Sequence, residues 1–151
     1  MEEDQYRKTY NSFNELRCVY EKAINSRRCT CSASHRFNLA DREGVSCQSK
    51  QGLQRCKNVL ELMRKNAGFA LKLPETDGSP LPHAKEIKVQ VGGLLGLQSL
   101  VFHEKENAEK VEDIDLILRA ALEQYDDFSS LPFTEIVKSI TTFKGRQKRS
   151  K

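Results

Sequence analysis

Four cysteines fall within thirty residues of this chain, in the stretch RRCTCSASHRFNLADREGVSCQSKQGLQRC that runs from 27 to 56. They are Cys29, Cys31, Cys47 and Cys56, and a fifth, Cys18, lies upstream between Arg17 and Val19. Thiolates are soft ligands, and four of them brought to one point hold zinc or an iron–sulfur cluster. The order is C-x-C, then fifteen residues, a cysteine, eight residues and a cysteine. Neither pair has the two-to-four-residue gap of a zinc knuckle, so an iron–sulfur cluster is the preferred group and zinc the alternative. His35 stands among them as a substitute ligand, and Arg27, Arg28, Arg36 and Arg55 would offset the surplus negative charge of the thiolates.

The same residues have a plainer reading. Cys56 sits between Leu53 and Leu60 on an apolar stripe, where a thiol packs as a small hydrophobe. Cys18 in the first helix takes the same explanation, and Cys47 fits it too. Only Cys29 and Cys31, set in a polar loop, resist it. The metal set expected from the sequence is therefore Cys29, Cys31, Cys47 and Cys56.

Little other chemistry is legible. His35, His83 and His103 are scattered, and no nucleophile–base pair follows from them. GGLLG lacks the Gly-Lys-Ser/Thr ending of a phosphate loop and reads as a packing element. The run EKENAEKVEDID is rich in carboxylates, and such runs are solvated helix faces. No catalytic constellation is legible, and an enzyme is the third and least favoured reading.

Charge is unevenly spread. Residues 26–57 hold seven bases against two acids, the last eight residues hold five bases and no acid, and residues 104–128 hold nine acids against three bases. A second reading follows, in which Arg27, Arg28, Arg36 and Arg55 line a phosphate-binding surface for nucleic acid. It lacks aromatic support, since Phe37 is the one ring among those charges. With or without nucleic acid, an accessory role implies a protein partner.

At 151 residues, 38% hydrophobic and 30% charged, the chain can bury a core, and wholesale disorder is excluded. No apolar run approaches a membrane span, and MEEDQYRK is no secretory leader. A cytoplasmic location follows, where an odd number of cysteines argues against a disulfide framework.

The elements that must position these residues are read from periodicity. DQYRKTYNSFNELRCVYEKAIN is one helix with Phe13, Leu16, Tyr20 and Ile24 on its stripe, and NLADREGVS forms a short helix capped by Asn38. Ser49 caps the clearest helix, near 50–71, with Leu53, Cys56, Leu60, Met63 and Ala67 facing inward. PETDGSPLP is the main loop. HAKEIKVQVGGLLGLQSLVF is read as a helix in which Gly92 and Gly96 admit another backbone, although the alternation in EIKVQV keeps a β-hairpin at 86–101 as the competing form. VEDIDLILRAALEQY and SLPFTEIVKSITTFKG complete the set, the latter stopped by Gly145. The expected fold is all-α: a single-domain bundle of four to five helices over 1–143, with a long cysteine-bearing loop between the first and central helices. Residues 144–151 form a basic disordered tail.

Overall fold

A computed structural model of the chain describes residues 3–73 and 80–144. Most of these residues are helical, and one two-stranded antiparallel hairpin interrupts the helices. In chain order they are α1 (Glu3–Phe13), α2 (Glu21–Asn25), β1 (Ser34–Leu39), β2 (Arg42–Cys47) and α3 (Lys50–Ala67). Next comes α4, α-helical over His83–Ile87 and Gly93–Val101 with a π-helical turn, Lys88–Gly92, between. Finally come α5 (Ile114–Tyr125) and α6 (Phe133–Thr142). The chain is thus mainly helical but not all-α. The exception is the cysteine loop itself.

The central helix forms as its sequence dictates. The Ser49 hydroxyl accepts from the Gly52 amide at 2.9 Å, satisfying one orphan donor of the first turn. Leu53, Cys56, Leu60, Met63 and Ala67 are all buried, as their three-four spacing requires. Around α3 pack α4, α5 and α6. Leu94, Leu97, Ile117, Leu118, Ile136 and Ile140 join Leu60 and Met63 in the fully buried core.

Between Glu86 and Val101 the helix displaces the hairpin alternative. The alternation in EIKVQV misleads because the wider π turn buries Val89, Gln90, Val91 and Gly92 in succession. Gly92 and Gly96 serve the close approach expected of them. A Cβ on Gly92 would stand 2.8 Å from the Ile140 Cα, and one on Gly96 would stand 2.8 Å from the Ser139 Cβ. The backbone of α6 lies directly against them.

Two expectations near the N-terminus are corrected. The single first helix is broken: α1 ends at Phe13 and α2 begins at Glu21. Asn14 marks the break, its amide donating to the Tyr10 hydroxyl at 2.9 Å and the Val45 carbonyl at 3.0 Å. Polar side chains that satisfy backbone groups this way compete with helix continuation. The freed segment runs beside β2 instead, with Cys18 N donating to Val45 O at 3.0 Å and Cys47 N to Leu16 O at 2.7 Å.

The second correction is NLADREGVS, which is not a helix capped by Asn38. Asn38 lies within β1, paired with Glu43, and the hairpin turns through Ala40 (φ 51°) and Asp41 (φ 65°). Both central residues at positive φ match the twist of a tight hairpin, but the usual Asn-Gly or Asp-Gly signature is absent. That absence concealed it.

A polar cluster ties α2 and its preceding segment to the bundle. Arg64 and Glu86 form a buried ion pair at 2.8 Å, and Gln90 donates to both Glu86 and the Val19 carbonyl. The Gln90 side-chain Oε1 accepts from the Ala23 amide at 3.1 Å. Of PETDGSPLP, only Pro80 to Pro82 are among the described residues. Gly145 and the remainder of the basic tail after Lys144 lie outside the described residues. No helix among the described residues is long and apolar enough to cross a membrane.

Candidate metal centre

The break after α1 changes which cysteines meet. A cavity of about 10 Å³ is lined by Cys18, Cys31, Cys47 and Cys56, closed by Ala33, Ser34, Leu53 and Ile114. Each thiol arrives on a different segment. Cys18 comes from the stretch between α1 and α2, held to β2 by the backbone hydrogen bonds given above. Cys31 sits in a turn closed by Ser34, whose amide and hydroxyl both donate to the Cys31 carbonyl, at 3.2 Å and 2.7 Å. Cys47 ends β2, with its thiol donating to the Ser49 carbonyl at 3.1 Å. Cys56 projects from α3.

Cys29 does not line this cavity. It forms a parallel bridge with Val111 and is 1% exposed, packed in the hydrophobic core. Its neighbours fasten it there: Val111 N donates to Arg28 O, Thr30 N to Val111 O and Ile114 N to Thr30 O, at 2.8–3.0 Å. Sequence reasoning placed Cys29 in the set and left Cys18 out. Cys18 was masked by an apolar periodicity that continues through residues where the helix itself stops.

Burial dominates the electrostatics of the cysteines. Burial pushes the Cys18 thiol up to about 12, against the Tyr20 amide, which directs a hydrogen bond at it. Burial also raises Cys31, opposed by the amides of Ala33 and Asp115. Cys56 is raised by burial and then by repulsion from Cys18, Cys31 and Cys47. Amides two residues along from Cys18 and Cys31 thus point at sulfur, the arrangement that favours a thiolate once a cation neutralises it. Cys29 is raised by burial to about 12 as well, opposed by the Arg28 charge and reinforced by repulsion from Cys18.

Among the described residues, no group of three or more His, Cys, Asp or Glu side chains is placed to hold a metal ion as the side chains stand. His35 is exposed on β1 and is not part of the cavity wall. His83 begins α4 and His103 begins a 3₁₀ turn, on elements apart from it. A wider cleft of about 440 Å³, lined in part by Lys22, Lys57 and Gln90, shares Cys18 and Leu53 with the cavity.

The arginines nominated for nucleic acid are engaged within the chain. Arg27 and Arg36 both meet Glu43, at 2.5 Å and 3.4 Å, and Arg55 meets Asp115 at 3.2 Å. Arg28 lies over the Phe143 ring at 5.3 Å. No protein-family model matches the chain, and neither a curated protein nor a solved structure matches it.

Proposed function

We propose that this chain is a small metal-binding accessory protein whose cysteines hold an iron–sulfur cluster, with zinc as the second group. One observation carries the reading: Cys31, Cys47 and Cys56, three of the four thiols nominated from spacing, border a single apolar cavity with another cysteine beside them. Four cysteines that are far apart in sequence meet at this one cavity. The apolar side chains of Leu53 and Ile114 in its wall would tune whatever the thiols bind. A cluster so placed serves electron transfer or sensing for a protein partner in a reducing, cytoplasmic setting. The nucleic-acid alternative finds less support, because Arg27, Arg36 and Arg55 each have a carboxylate partner.

The test is purification without oxygen, followed by iron, acid-labile sulfide and zinc analysis and a visible absorption spectrum. Bound iron with sulfide, or bound zinc, supports a thiolate centre. Five titratable thiols with neither metal, after anaerobic reconstitution, would sink the reading.

A further inference from the structure

We propose that the fourth ligand is Cys18 rather than Cys29, and that the resulting set of Cys18, Cys31, Cys47 and Cys56 takes a polynuclear iron–sulfur cluster in preference to a single zinc ion. This rests on the thiolate-centre reading above and goes further in naming the ligands and the group. The argument for Cys18 is positional. It borders the cavity with the other three, whereas Cys29 is committed to the core through its bridge with Val111. The hydrogen bonds from Cys18 N to Val45 O and from Cys47 N to Leu16 O fix Cys18 and Cys47 diagonally across the Arg17–Ser46 bridge.

The argument for a cluster is one of connectivity. Structural zinc takes its ligands in pairs from tight knuckles, whereas these four come singly from four segments. A cluster, being larger than one ion, bridges four such separated thiolates. Each thiol loses its proton to solvent as its sulfur bonds to iron.

Wild-type chain, Cys18→Ala, Cys29→Ala and Cys18→His are each reconstituted anaerobically with iron and sulfide salts under thiol reductant. Iron, sulfide and zinc per chain, visible absorption and circular dichroism are then compared. Wild type and Cys29→Ala should bind iron and sulfide with the same charge-transfer bands, and Cys18→Ala should lose them while keeping its helical signal. Cys18→His should retain iron with shifted bands, the mark of a changed ligand rather than a damaged fold. Should either alanine variant unfold, differential alkylation of wild type decides: Cys18 becomes reactive on stripping the centre, and Cys29 does not. Full iron and sulfide in Cys18→Ala, or loss confined to a folded Cys29→Ala, overturns the ligand assignment. Zinc at one per chain with no sulfide uptake overturns the cluster and leaves the thiolate centre standing. No metal of any kind in wild type overturns both.

Discussion

Cys18 borders the cysteine cavity and Cys29 does not, the reverse of what the spacing suggests, and the reason is local to each. A cysteine flanked by arginines and threonine reads as exposed, yet Cys29 is drawn inward by backbone pairing with a residue 82 positions away, a contact that no local pattern records. Cys18, conversely, reads as a helical packing residue, and the polar bonds of Asn14 end the helix before reaching it. Other single residues carry testable weight. Burial, and for Tyr10 the Glu21 carboxylate as well, raises the phenols of Tyr10 and Tyr20 above the usual tyrosine value. A group raised in the folded state contributes stability below its unfolded pKa of about 10 and loses it as pH climbs toward the folded value. The ultraviolet phenolate signal of these two residues is therefore expected only together with loss of helical dichroism, and the Tyr20→Phe variant should lack its share. Glu86, 1% exposed, accepts from Arg64, Gln90 and the Leu81 amide. Its replacement by alanine leaves the Arg64 guanidinium buried without that carboxylate and should cost about 3–5 kcal/mol by urea denaturation.

At the scale of elements, the strongly periodic helices were readable and the irregular ones were not. The stripe of α3 and its Ser49 cap are as expected, and the cap implies a loss of about 1 kcal/mol in Ser49→Ala, measurable by thermal melting. The hairpin escaped notice because its turn places Ala40 and Asp41 at positive φ without a glycine. The π turn escaped notice because no residue pattern specifies an extra residue in a helical turn. The glycines of α4 make a graded prediction. Gly92→Ala meets the α6 backbone at Ile140 and Ser139, which cannot yield, whereas Gly93→Ala meets the flexible end of Met63. Gly92→Ala should therefore be the more destabilising, by about 1–3 kcal/mol. Equal midpoints for the two variants would contradict this packing account.

For the molecule as a whole, charge asymmetry was legible but its meaning was not. Acids from outside the basic region reach back into it, since Asp115 pairs with Arg55 and the Asp113 carboxylate accepts from the Ser32 amide and hydroxyl. Thiolate binding couples to folding, so stripping the proposed centre should lower the melting temperature and speed amide exchange at Cys18 and Cys31, with the α4–α6 interface unchanged. Uniform acceleration across the chain would instead mean that the centre is not a local tie.

The pairing of residues 28–30 with Val111 and Ile114 bears on how such a stretch could be inherited. RRCTCSASHRFNLADREGVSCQSKQGLQRC looks like a portable module, a run that recombination could lift into another gene and leave functional. It is not portable. The turn bearing Cys31 is hydrogen-bonded to a helix encoded some eighty residues downstream, and Ile114 of that helix supplies part of the cavity wall. A chain ending at Ala67 would contain every cysteine and still lack that wall. The cysteine stretch and Val111 to Asp115 therefore form one structural unit, although the sequence separates them by more than fifty residues.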